Sequence, residues 1–185
     1  MKVSRTKFDG VLLIEPDVFR DERGFFLETY QRQKYREVGI ELDFVQDNHS
    51  RSAHGAIRGI HAQIARPQGK LVRVLMGEIF DVIVDIRRGS PDFAQWISFS
   101  LSASNFRQCY VPPGFAHAFC VVSELAEVEY KCTDFYDPND ELRIIWNDPT
   151  IGVKWPVAEP ILSTGDQSAR CLDELIDKLP RFEGK

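Results

Sequence analysis

The chain has 185 residues, 43% of them hydrophobic, and a formal net charge of −5. That length suits one domain with a large core, residues 1–185, and the acidic balance excludes the broad basic face that nucleic-acid binding needs. No apolar run approaches the ~18 residues of a membrane span, and residues 1–5 lead straight into charged positions without a signal-peptide core, so no membrane contact and a cytoplasmic protein are expected.

In chain order, Val11, Leu12, Leu13 and Ile14 read as a short strand closed by Glu15-Pro16. Asp21-Glu22-Arg23-Gly24 is a turn, and residues 25–30 return as an aromatic-rich strand. Residues 31–38 carry helix formers and stop at Gly39, which predicts a short helix. Phe44-Val45 begins a strand that ends in polar residues by Ser50. Residues 56–76 read as two strands joined by the turn Arg66-Pro67-Gln68-Gly69. Side chains alternate along a strand, so His61 shares a face with Gln63, and Lys70 shares one with Val72 and Val74. Residues 78–86 are strongly β-prone, with Asp81 on the parity of Ile79 and Ile83 and therefore a candidate to point inward. After a turn at residues 87–91, residues 96–101 alternate as a strand.

Residues 110–117 form a proline-glycine corner that leads into residues 118–122. Residues 126–132 alternate cleanly: Ala126, Val128, Tyr130 and Cys132 face one way, Glu127, Glu129 and Lys131 the other. Residues 137–140 are a turn, residues 146–156 are irregular, and a helix is expected from about 168 to 179, within a helical tail over 168–185. Cys109, Cys120, Cys132 and Cys171 lack C-x-x-C spacing and are read as reduced thiols. Short strands with frequent turns, and helices only at the periphery, predict an all-β sandwich or barrel. Such barrels hold a single ligand in the mouth, lined by alternate side chains.

His61-Ala62-Gln63 and Pro112-Pro113-Gly114-Phe115-Ala116-His117 resemble the two motifs of the cupin jelly roll. Metal-binding cupins use H-x-H and an acidic ligand. Here Gln63 stands at the second histidine and Lys70 lies near the acidic position, and both oppose a divalent metal. The remaining set is His61, His117, Lys70 and Tyr130. A histidine with a pKa near ~6.5 accepts protons at neutral pH, a tyrosine on another strand delivers one from the opposite side, and a lysine neutralises a forming oxyanion. That kit suits inversion of a carbon next to a carbonyl. Each residue also fits a blander role: a satisfied structural histidine, a core tyrosine, or a lysine snorkelling from a barrel mouth.

These blocks resemble the dTDP-4-dehydrorhamnose 3,5-epimerase family over roughly residues 8–175. The matching segments are D-E-R-G-F-F-L-E-T-Y from Asp21, F-V-Q-D-N-H-S from Phe44, R-G-I-H from Arg58, Q-G-K-L-V-R-V from Gln68, G-E-I-F-D-V-I-V-D-I-R from Gly77, V-P-P-G-F-A-H from Val111, Y-K-C-T from Tyr130 and W-N-D-P-T-I-G-V-K-W-P from Trp146. The resemblance implies a cupin jelly roll and cofactor-free epimerisation of a dTDP-4-keto-6-deoxyhexose. It implies His61 as base, Tyr130 as acid, Asp166 as the aspartate paired with His61, and Lys70 beside the C4 oxygen. Arg23, Glu28, Gln46, Asp47, Asn48, Arg58, His117 and Glu141 match ligand-contacting positions, and Tyr136 matches an aromatic that stacks on thymine. A homodimer with exchanged N-terminal strands is also implied, so that part of each site comes from the partner chain. Arg58 lies on the opposite parity to His61, so both reach a ligand only if the strand bends near Gly59.

Three positions depart from the family pattern: Ala62 stands for an aromatic, Gly165 for a lysine, and Ala118 for a glycine. They leave open a single-centre epimerase acting at C3 or C5 alone. A non-catalytic sugar-nucleotide-binding cupin and a metal-dependent cupin oxygenase are the readings from other classes.

Overall fold

Short strands of alternating polarity, each too narrow to bury its apolar face alone, solve that problem by stacking into two sheets. The computed structural model describes residues 1–184. In chain order the elements are β1 (Lys2–Arg5), β2 (Leu12–Glu15), β3 (Val18–Asp21), β4 (Gly24–Leu27), α1 (Arg32–Glu37), β5 (Gln46–Ala53), β6 (Ile57–Gln63), β7 (Lys70–Met76), β8 (Glu78–Asp85), β9 (Trp96–Ser102), β10 (Gln108–Val111), β11 (Phe115–Val121), β12 (Leu125–Cys132), β13 (Glu141–Arg143) and α2 (Thr164–Gln167). One sheet runs β1-β2-β10-β7-β12-β5, the other β13-β6-β11-β8-β9, and β3 with β4 forms a separate hairpin. The architecture is the expected all-β jelly roll.

The main core lies between the sheets. Val72, Val74, Val111, Ala126 and Val128 come from one side; Ile79, Ile83, Leu101, Phe115 and Phe119 come from the other. β8 is buried on both faces, because its even positions Val82 and Val84 pack with the C-terminal Leu172, Leu175 and Leu179. That two-sided burial explains its unbroken apolar reading. On the outer face of the six-stranded sheet, Tyr35 and Ile40 of the α1 segment cover Leu12, Ile14, Leu71 and Tyr110. The four cysteines are free thiols. No helix among the described residues is long and apolar enough to cross a membrane.

Several elements differ from expectation. β1 was not foreseen, and β4 ends at Leu27. The polar stretch after Val45 is the strand itself: β5 is a sheet edge, pairs only with β12, and alternates half-buried with exposed residues. The expected helix from about 168 to 179 is instead a short 3₁₀ helix over Leu172–Lys178. Tertiary hydrogen bonds override helix propensity there. The N–H of Ile145 donates to the Arg170 carbonyl at 2.9 Å, and the N–H of Leu172 donates to Asp148 Oδ2 at 2.7 Å. Residues 169–171 therefore lie extended against the sheet edge, and winding starts only beyond them. Lys185, the last residue of the expected tail, lies outside the described residues.

Candidate active site

Where the inward rows carry polar side chains, the sheets part around a cavity of about 620 Å³. β5 contributes Gln46, Asn48 and Ser52; β6 contributes Arg58, His61 and Gln63; β7 contributes Lys70; β12 contributes Tyr130. His117 arrives on β11 directly opposite His61 in register. The two histidines thus stand on the five-stranded wall, and Lys70 and Tyr130 stand on the six-stranded wall.

Arg58 and His61 both line the cavity despite their opposite parity. The β6–β11 register slips between His117 and Phe119, and Gly59 sits at φ +124°, ahead of a cis peptide bond to Ile60. A Cβ at Gly59 would lie 2.4 Å from the Ala118 Cβ. Glycine is thus required there on two counts, conformation and close approach.

His61 is tied to Asp166 across 105 positions of sequence, with Nε2 to Oδ1 at 2.5 Å. Ser163 caps α2 by accepting from the Asp166 N–H at 3.1 Å and donates its own hydroxyl to Asp166 Oδ2 at 2.8 Å. Both carboxylate oxygens are therefore occupied. Burial pushes the Asp166 carboxyl up, but the His61 hydrogen bond and charge, the Ser163 hydroxyl and the Arg143 charge outweigh it, so its pKa is lowered. An ionised carboxylate only accepts. In the neutral imidazole Nε2 therefore carries the proton, which leaves Nδ1 as the lone-pair nitrogen. Nδ1 stands 3.7 Å from Glu141 Oε1, a residue of the cavity lining.

His117 has its own aspartate: Nε2 lies 2.7 Å from Asp81 Oδ1, with Asp81 fully buried. Burial raises the Tyr130 phenol above its ordinary pKa and so keeps it protonated. Burial also lowers the Lys70 ammonium, an effect opposed by Cys132, Glu141 and Asp81.

Gln63 spends its side chain on backbone. Its Nε2 donates to the Arg66 and Phe135 carbonyls at 3.1 and 3.2 Å, and its Oε1 accepts from the Asp137 N–H at 2.6 Å. Gln46 Oε1 accepts the Tyr136 N–H at 2.9 Å. These two glutamines fix the loop that carries Tyr136 to the cavity rim. Among the described residues no group of three or more His, Cys, Asp or Glu side chains is placed to hold a metal ion.

Of the expected site residues, His61, Tyr130, Asp166, Lys70, Gln46, Asn48, Arg58, His117, Tyr136 and Glu141 line this cavity, whereas Arg23, Glu28 and Asp47 do not. Asp47 has the outward parity, and its carboxylate holds Lys131 at 2.9 Å. Arg23 pairs with Asp21 at 2.5 Å at the hairpin tip, and Glu28 pairs with Lys34 at 2.8 Å. Sequence reasoning missed Arg143, Ser163 and the Asp81–His117 pair. A usable signal existed for two of them: Ser163 is a helix-capping residue three before an acid, and Arg143 shares strand parity with Glu141.

A sequence profile described as dTDP-4-dehydrorhamnose 3,5-epimerase matches residues 5–174. The chain is 52% identical over 172 residues to a dTDP-4-dehydrorhamnose 3,5-epimerase of Pseudomonas aeruginosa, covering 92% of this chain and 95% of that one. It is 50% identical over 179 residues to one of Salmonella typhimurium, covering 95% and 98%. Among solved structures it is similar to a dTDP-6-deoxy-D-glucose-3,5-epimerase from Legionella pneumophila in complex with dTDP-4-keto-L-rhamnose. That match has 47% identity, 99% coverage of both chains and a TM-score of 0.96.

Proposed function

The chain belongs to the dTDP-4-dehydrorhamnose 3,5-epimerase family, and from that premise we propose that it inverts C3 and C5 of a dTDP-4-keto-6-deoxyhexose in dTDP-L-rhamnose synthesis. The observation that carries this reading is the aspartate-backed imidazole of His61 on one cavity wall, with the phenol of Tyr130 on the other. His61 Nδ1 takes the proton from the carbon next to the C4 ketone. The C–H electron pair moves into the ring as an enolate, and its oxygen is neutralised by Lys70. Tyr130 then protonates the same carbon from the opposite face, and solvent returns a proton to the tyrosinate while removing one from the imidazolium. Every step moves only protons, so the scheme calls on no cofactor. Asp166 holds the imidazole in one tautomer and stabilises its charged form. Gln46, Asn48, Arg58, His117 and Glu141 hold the sugar nucleotide, with thymine against Tyr136.

The working unit is a cytoplasmic homodimer. The β3–β4 hairpin supports this reading: Phe19, Phe25 and Phe26 are 63%, 56% and 70% exposed, an apolar surface that a second subunit would cover. Exchange of N-terminal strands would carry Arg23 and Glu28 to the neighbouring chain's cavity, and the Arg23 fork suits a diphosphate.

The test is NMR of dTDP-4-keto-6-deoxyglucose with the protein in deuterated water. Solvent deuterium should enter at C3 and C5 as the sugar inverts, and His61→Ala should abolish both exchanges, a loss of about 10⁴-fold. Retained exchange in that variant removes His61 from the mechanism. Deuterium at one carbon only makes the enzyme a single-centre epimerase, and binding with no exchange makes it a binding protein.

A further inference from the structure

We propose that Arg143 grips the diphosphate of the sugar nucleotide, its guanidinium lying where a side chain at residue 165 would otherwise begin. This rests on the sugar-nucleotide reading above. Arg143 pairs with His61 in the β13–β6 register, so it enters the cavity one strand away from the base. A Cβ built on Gly165 would lie 1.7 Å from Arg143 Nη1 and 2.9 Å from its Cζ. The guanidinium fills the space into which a side chain at residue 165 would grow. Gly165 is not among the residues at positive φ, so its backbone conformation is open to any residue, and glycine inside α2 weakens that turn relative to alanine. A side chain at residue 165 would therefore have to push aside the tip of the Arg143 side chain.

Arg143 is aimed by its neighbours. Its Nε donates to Glu141 Oε2 at 2.6 Å, its Nη2 lies 2.5 Å from the same oxygen, and the Tyr136 hydroxyl donates to that oxygen at 3.3 Å. One edge of the fork is thus pinned beside the aromatic ring, and Nη1 is turned toward Gly165. Lys70, Arg58 and Arg143 are the lysine and arginine side chains of the cavity lining. Lys70 sits on the six-stranded wall, paired in register with Cys132. Arg58 and Arg143 lie on neighbouring strands, both exposed to solvent. A diphosphate entering between the sugar wall and Tyr136 meets these two arginines, whose paired donors match phosphate oxygens.

The experiment is calorimetric titration of thymidine and dTDP into wild type, Arg143→Gln, Arg143→Lys, Gly165→Lys and the double variant Arg143→Ser/Gly165→Lys, with steady-state kinetics beside it. Arg143→Gln should weaken dTDP about 10- to 100-fold with thymidine affinity unchanged, and should raise KM far more than it lowers kcat. Arg143→Lys should recover part of that loss. Gly165→Lys alone should disturb the site, and the double variant should recover dTDP binding, because the cation then enters from residue 165. Three outcomes overturn the assignment: unchanged dTDP affinity in Arg143→Gln, equal loss of thymidine and dTDP, or a fall in kcat with KM unchanged, which would place Arg143 on the Glu141–His61 contact instead. Wild-type protein that binds no dTDP overturns the sugar-nucleotide reading itself.

Discussion

On the five-stranded wall of the cavity each histidine ends on a buried carboxylate: His61 on Asp166, 4% exposed, and His117 on Asp81, fully buried. On the six-stranded wall Lys70 and Tyr130 meet desolvating surroundings, which drive each toward its neutral form. Burying a group with its counter-charge fixes where the proton sits. Burying it chiefly against its neighbours changes how readily the proton leaves. In the proposed mechanism the first wall takes up a proton through His61 and the second returns one through Tyr130, whose raised pKa keeps the phenol protonated until the enolate forms.

The strongest way to break this contrast is to spoil a carboxylate. Asp166→Asn keeps the shape, but its amide can present an N–H to Nε2, which would turn the imidazole to the wrong tautomer. The expected fall in kcat is about 10³–10⁴-fold, read by coupled turnover and by the C5 exchange rate. A fall under tenfold would mean that the pair is structural. Next in size is Tyr130→Phe, which should slow inversion about 10²-fold while deuterium exchange survives, since the accepting wall is intact. Equal loss of both would end the division of labour between the walls. The smallest effect is on pH dependence. The ammonium form of Lys70 is the useful one, and burial lowers its pKa from the ordinary 10.5, so kcat should fall as pH rises through a value below that figure. Tyr130, shifted upward, loses its proton later. Lys70→Arg should move this alkaline limb upward in a kcat–pH profile, even with reduced activity. A limb unmoved by the substitution belongs to another group.

Much of this arrangement could be read from short-range pattern. Strand alternation alone placed Tyr130 with Ala126 and Val128, and Lys70 with Val72 and Val74, and the P-x-G-x-x-H corner placed His117. Those inferences hold because strand parity is a local property. Asp166 was reachable only through the family resemblance, since nothing local links it to a histidine 105 positions earlier. Arg58 defied parity because a register slip and Gly59 reset the strand. The C-terminal helix was overestimated because propensity carries no information about the hydrogen bonds that Ile145 and Asp148 make to the tail. Arg143 is not legible in the sequence for a related reason: its guanidinium lies against Gly165, a relation between distant segments.

The late position of Asp166 ties chemistry to completion of the chain. Among the described residues all thirteen strands precede it, so the carboxylate that backs His61 comes from the part of the chain that follows both sheets. A molecule clipped by a protease just before Ser163 would lose both the carboxylate that backs the His61 imidazole and the Leu172, Leu175 and Leu179 side chains that cover Val82 and Val84.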